Sequence, residues 1–260
     1  MSNIEIAKEV LKKIIPFSLR SELTNAYINM RVYSKNNEPY GKDIYPSGIN
    51  LAGYIKAEMG LGQGCRLIAG AIERSGIPFS IINYERAYNA RSGEESWNEK
   101  IGEPKYNVNL VQINADQIPL ARLTLGDSFW NKRFNIAHFA WELPVFPDRW
   151  KNSFNFFNEI WTPSKFCTDA ISEKTTKNVY TMPFGVSADV QEPRDREYFE
   201  LPSDKFLFLC MFDVNSVIQR KNPMGAIKAF QRAFNPNCKD VELIVKINNY
   251  TENKIGYKEL

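Results

Sequence analysis

The stretch from Ser47 to Gly76, SGINLAGYIKAEMGLGQGCRLIAGAIERSG, constrains the fold more than any other part of the chain. Gly48–Ile55 is an apolar-rich run of strand length. Gly60, Gly62 and Gly64 follow closely. Cys65–Ser75 then carries Leu67, Ile68, Ala71 and Ile72 at helical spacing, with Gly76 placed to end the helix. The pattern is strand, glycine loop, helix. A glycine loop opening a helix gathers bare backbone N–H groups and the positive end of the helix dipole at one point, which suits a phosphate. The spacing is not G-x-G-x-x-G, and no Walker lysine follows. Phosphate contact and tight strand–helix packing therefore explain the glycines equally well at this level.

The rest of the chain repeats the alternation. Pro78–Tyr84, Tyr106–Ile113, Phe134–Trp141, Glu159–Thr162 and Val179–Met182 read as strands. Residues 85–104 are polar and charged and read as a long surface loop. Asn114–Pro119 follows the third strand at its carboxyl end, where ligands sit in open parallel sheets. Ser164 is placed to N-cap a helix whose buried face is Phe166, Ala170 and Ile171. Residues 187–204 are charged and carry Pro193 and Pro202, as a linker would. Lys205–Phe212 is so apolar that it reads as a strand buried on both faces. Asn222 and Pro223 open a helix burying Ile227, Phe230 and Phe234, and Val241–Ile247 is a further strand. The expectation is an α/β fold with parallel sheets. It divides into an arm and linker at 1–41, a Rossmann-like N-terminal domain at 42–192, a linker at 193–204 and the start of a second Rossmann-like domain at 205–260.

Composition narrows the function classes. With 260 residues, 43% hydrophobic and 13% aromatic, the chain can bury a large core. A net charge of +3 gives no case for a nucleic-acid surface. Cys65, Cys167, Cys210 and Cys238 are dispersed and His138 is the single histidine, so no metal site is expected and the thiols read as reduced. The N-terminal residues are polar and charged, unlike a signal peptide, and no apolar run reaches membrane-spanning length. A cytoplasmic protein is expected. Residues 3–33 read as an amphipathic, basic arm; it packs on the main domain or lies on an anionic membrane surface, and Glu5, Glu9 and Glu22 favour packing.

Four segments together resemble the family-4 glycosyltransferases, in particular the branch of bacterial surface-polysaccharide synthesis. They are NLAGYIKAEMGLGQGCRLIAGAIERSGIP, FNIAHFAWELPVFPDRW, NEIWTPSKFCTDAI and FLFLCMFDVNSVIQRKNPMGAIKAFQRAF. The resemblance implies the GT-B architecture, with two Rossmann-like domains facing across a cleft. It implies transfer of a sugar from a nucleotide-sugar donor to a glycan or lipid-linked acceptor, with retention and without metal or other cofactor. Arg220 and Lys221 look like the family's phosphate-binding basic pair, opposed by Gly60 and Gly62. Without a metal, such cations and backbone amides must take the charge that grows on the leaving diphosphate. Glu142 looks like the family's acidic residue on the acceptor side. The histidine that usually precedes it is Trp141 here, and His138 is too far back to take that role. Trp141 either stacks on a sugar or packs in the core.

The family's late glutamate pair has no counterpart. Glu252 and Glu259 have the wrong separation and follow the wrong element. The chain is therefore expected to be C-terminally truncated, with the contacts to the donor's base and sugar missing. The alternative is a non-catalytic remnant or partner subunit that binds a glycan or another glycosyltransferase. The expected partners are a nucleotide-sugar and a glycan or lipid-linked acceptor, with no nucleic acid; peripheral membrane contact through residues 3–33 is the alternative to packing of the arm.

Overall fold

The computed structural model describes residues 30–86, 91–186, 192–214, 216 and 218–249, together with 22, 26 and 27. The chain forms two compact units, Met1–Ser187 and Ala188–Leu260. Most of the 3–33 arm, and both Glu252 and Glu259, lie outside the described residues. The described end of the arm joins the core: Val32 is buried, and Tyr33 stacks on Phe156 and bonds Ser153 through its hydroxyl.

In the first unit, strands β1 (Ile49–Gly53), β2 (Phe79–Asn83), β3 (Val108–Gln112), β4 (Phe134–His138), β5 (Glu159–Thr162) and β6 (Val179–Thr181) form one sheet in the order β2-β1-β3-β4-β5-β6. Every pairing is parallel. Helix α1 (Gly60–Ser75) connects β1 to β2. Helices α2 (Ile118–Leu125) and α3 (Asp127–Trp130) connect β3 to β4, and α4 (Lys165–Ser172) connects β5 to β6. Each sheet face has its own apolar cluster. One holds Leu51, Cys65, Ala69, Ile72, Leu110 and Ile136 on the α1 side. The other holds Ala52, Val111, Phe129, Trp130, Ala137 and Phe157. The split follows from the alternation of side chains along a strand.

A buried row of amides crosses the second face near the amino ends of the strands. Ser80, Asn50, Asn109 and Asn135 are register partners on β2, β1, β3 and β4. Ser80 Oγ donates to Asn50 Oδ1 at 3.2 Å, Asn50 Nδ2 to Asn109 Oδ1 at 2.8 Å, and Asn109 Nδ2 to Asn135 Oδ1 at 2.8 Å. The remaining valences go to backbone: Asn109 to Phe129 O, Asn135 to Trp130 O, and Asn50 Oδ1 from the amides of Lys105 and Tyr106.

Several expectations are corrected. Helix α1 begins at Gly60, so the glycines are its first turns and not a preceding loop. The fourth strand ends at His138; Phe139 N still donates to Trp161 O, and the chain turns away beyond it. The span read as a surface loop folds back on the sheet: Ile101 pairs with Ile81 and Trp97 packs on Phe79, which covers the β2 edge. Ser164 does N-cap α4, accepting from Cys167 N, but Phe166 points outward and Cys167 takes its place beside Ala170 and Ile171. The Phe ring falls on the solvent side of the helical stripe.

In the second unit, β7 (Phe206–Asp213) and β8 (Val241–Asn248) pair in parallel. They are joined by the short α5 (Ile218–Lys221) and by α6 (Pro223–Ala233). Asn222 N-caps α6 as expected, accepting from Gly225 N, with Pro223 in the first turn. Phe208 packs on Phe230 and Phe234. Strand β7 is not buried on both faces: Leu209 and Met211, opposite the helix-facing side, are exposed.

The amide row gives a test. Asn109→Leu removes one member and leaves Asn135 Oδ1 and Phe129 O without their donor in a buried site. The expected loss is about 2–4 kcal/mol in chemical denaturation, against about 0.5 kcal/mol for a substitution on the surface. A loss within the surface range would mean the row contributes nothing.

Candidate functional site

Strands β2 and β3 flank β1, so the connections leaving β1 and β3 run to opposite sides of the sheet. The carboxyl ends of β1 and β3 are thus the switch point at which open parallel sheets bind ligands. Helix α1 starts there. Its N-cap residue, Met59, gives no side-chain cap, so the amides of the first turn point out with the positive end of the dipole.

The three glycines have different duties. A Cβ on Gly62 would lie 2.0 Å from Ala57 O and 2.9 Å from Tyr54 O. A Cβ on Gly64 would lie 3.0 Å from the Phe184 ring and 3.2 Å from Gln112 Nε2. Both let the helix sit directly on the β1 loop and the end of β3. Gly60 has nothing within 4 Å of a Cβ and is open to solvent. Packing thus accounts for Gly62 and Gly64, while Gly60 is left for a ligand to approach. The loop beneath is pinned by Arg66, which donates through Nη1 to Ile55 O at 2.9 Å and Ala57 O at 3.0 Å. Arg66 was not singled out from sequence, because nothing local marks an arginine that folds back on its own loop.

Below α1, Gln112 ends β3 and His138 ends β4, one step beyond the paired Val111 and Ala137. Both lie on the α1 face with Leu110 and Ile136. Gln112 Oε1 and His138 Nδ1 are buried with no hydrogen-bond partner among the described residues. His138 Nε2 donates to Met182 O at 3.2 Å, which makes Nδ1 the lone-pair nitrogen. Phe184 closes over them, its ring 4.9 Å from that of His138. Burial lowers the His138 pKa below its ordinary 6.5. Burial also pushes the Cys65 thiol up to about 12, so it is no nucleophile despite its place near a helix start.

Trp141 and Glu142 follow β4 at the same end of the sheet. Trp141 is committed to packing: its ring meets Phe146 and Trp150, each at 5.4 Å, and its Nε1 donates to Val145 O at 3.0 Å. Glu142 is exposed on the segment that follows. Gly60, Gly62, Trp141 and Glu142 therefore share one sheet end. Arg220 and Lys221 belong to the second unit, where both are exposed on α5 beyond the carboxyl end of β7. Among the described residues, no group of three or more His, Cys, Asp or Glu is placed to hold a metal ion. No helix among them is long and apolar enough to cross a membrane.

No family model matches the chain. No curated protein matches it. Among solved structures it is similar to the apo form of a lipopolysaccharide outer core galactosyltransferase, WaaB, with a TM-score of 0.45 and 9% identity, over 82% of this chain and 64% of that chain. The chain thus spans less than two thirds of that protein, and no residue role is taken from it.

Two outcomes follow from the geometry. Gly62→Ala must displace backbone and should lower stability by about 1–3 kcal/mol, whereas Gly60→Ala should be neutral or stabilising by up to about 1 kcal/mol; thermal and denaturant unfolding measure both. Equal behaviour would mean that α1 does not seat on the Ala57 carbonyl. For His138 the folded pKa lies below the unfolded one. Between the two values the unfolded chain binds a proton that the folded chain refuses. The contribution of His138 to stability is therefore complete above pH 6.5 and is lost as pH falls below it. The unfolding free energy of the wild type relative to His138→Leu should drop as pH goes from about 8 to about 5. A flat difference would place the imidazole in water.

Proposed function

We propose that the protein is a glycosyltransferase of the GT-B type. It takes a nucleotide-sugar as donor and a glycan or lipid-linked acceptor, and acts in the synthesis of a surface polysaccharide. The observation that carries the reading is the open first turn of α1 at the β1/β3 switch point, in a chain whose four segments resemble family-4 glycosyltransferases. A helix start with free amides favours a diphosphate.

The roles follow from the charge that develops. The bond from the anomeric carbon to the phosphate oxygen breaks and its electrons leave with the nucleoside diphosphate; the acceptor hydroxyl oxygen forms the new glycosidic bond, and its proton passes to an oxygen of the departing phosphate. Gly60 and the first-turn amides of α1 bind phosphate oxygens. Arg220 bridges two oxygens with its fork, and Lys221 adds a point charge. Glu142 orients the acceptor hydroxyl. With these cations and amides carrying the charge, the transfer needs no metal; attack of the acceptor on the face from which the diphosphate departs gives retention. The protein works in the cytoplasm, where a lipid-linked acceptor is met at the membrane's inner face.

A panel of nucleotide-sugar donors tests this. Arg220→Ala and Lys221→Ala should each lower turnover by about two to three orders of magnitude with folding intact, and chelator should leave the wild type unchanged. Normal turnover in both variants would return them to a surface role. Activity lost with chelator and restored by manganese or magnesium would overturn the metal-free mechanism. Binding of a glycan with no donor turnover would favour the non-catalytic alternative.

A further inference from the structure

A groove of about 230 Å³ lies at the other end of the sheet, across the amino ends of β4, β5 and β6. Asn36, Asn37, Tyr40, Asn155, Asn158 and Lys177 line it. Its walls are held by backbone. Lys132 N donates to Glu38 O and Gly41 N donates to Lys132 O, which fix the segment carrying Asn36 and Asn37. Asn37 Nδ2 donates to Phe156 O at 2.9 Å, tying that segment to the opposite wall. The floor includes Asn135, from the buried amide row. The groove is therefore formed before any ligand arrives, which keeps the ordering cost of binding low.

Its unspent valences describe a ligand. Asn37 Oδ1 is buried and has no partner among the described residues, so it awaits a donor such as a hydroxyl. No side-chain hydrogen bond engages Asn36 or Asn155 among the described residues, and Asn158 uses only Oδ1, to accept from Asn135 N. Amide side chains offer a donor and an acceptor together, as do sugar hydroxyls. Tyr40, part exposed and packed edge-on against Phe134, offers ring surface to the C–H side of a pyranose. Lys177 has no acidic partner among the described residues, and partial burial lowers its pKa, so an anion would relieve a desolvated cation. The groove's one carboxylate, Glu38, is already taken, with Lys132 at 3.4 Å and the Asn131 amide at 3.1 Å. The volume is below that of pockets for drug-sized ligands and suits a single ring.

We propose that this groove binds one acidic sugar residue, its hydroxyls read by the asparagine amides and its carboxylate or phosphate held by Lys177. The site lies at the opposite end of the sheet from the α1 first turn and does not depend on the glycosyltransferase reading. A glycan-binding protein without transfer activity would use it equally.

The test is a titration of the full chain with glucuronate, glucose 6-phosphate, glucose and inorganic phosphate, followed through the side-chain amide resonances of Asn36, Asn37, Asn155 and Asn158. Glucuronate or glucose 6-phosphate should shift these resonances saturably, and whichever binds tighter names the anion. Lys177→Gln should weaken that binding about tenfold or more, and Lys177→Arg should retain it. Both variants should unfold like the wild type, since Lys177 makes no ion pair among the described residues. Three results would overturn the proposal: no saturable shift with either acidic sugar, unchanged binding in Lys177→Gln, or glucose or inorganic phosphate binding as tightly as the acidic sugars. Donor turnover is not part of the readout, so an inactive protein would leave this outcome unaffected.

Discussion

The first unit depends on a row of amides buried beneath the sheet's own side chains. Asn50 and Asn109 are fully buried and Asn135 nearly so. A parallel sheet must close pairings between segments far apart in the chain, and apolar strands alone leave their register weakly defined. Here a slip of one residue would turn each asparagine into the opposite apolar cluster and strand its hydrogen bonds. A buried polar network that is fully satisfied specifies one arrangement; a partly satisfied one is worse than an apolar core. The same register sets Gly53 beside Gln112 and brings His138 level with Trp161 at the carboxyl ends.

At that carboxyl end the governing factor is close approach. Gly53 has no Cβ, and one placed there would come within 2.8 Å of Cys65 Sγ. Gly62 and Gly64 continue the contact, so α1 rests on backbone and on the Gln112 amide. Its first turn is carried to the carboxyl rim of the sheet, where nothing among the described residues lies within 4 Å of a Cβ on Gly60. Arg66 then spends its guanidinium on the carbonyls of the loop, which stiffens the approach to Gly60. Close packing at Gly62 and Gly64 and an open first turn at Gly60 are thus consecutive parts of one helix and not competing uses of its glycines.

What could be read from sequence was what is decided locally. Ser164 and Asn222 with Pro223 cap their helices because a cap is a contact within one turn. The strand cores emerged from short apolar runs, although Phe134–Trp141 was read past its true end at His138, since apolar residues continue into the aromatic cluster of Trp141, Phe146 and Trp150. Phe166 was misplaced because hydrophobicity does not say on which side of the α4 stripe a ring falls. The amide row was invisible: Asn50, Asn109 and Asn135 are each an isolated polar residue in a strand, and only the sheet makes them neighbours. The groove of Asn37 and Lys177 was missed for the same reason, its walls coming from three separate segments.

The amide row lies near the amino ends of the strands, and the open turn of α1 at the other end. The two ends therefore answer to different pressures over evolutionary time. Loops leaving the carboxyl ends can change length and chemistry without unfastening the strands, because alignment is secured elsewhere. A lineage descended from this chain would be free to rebuild residues 139–147, while substitutions among the asparagines would be purged whatever that rim came to bind. Drift in this protein should look lopsided, fast at one rim of the sheet and nearly frozen at the other.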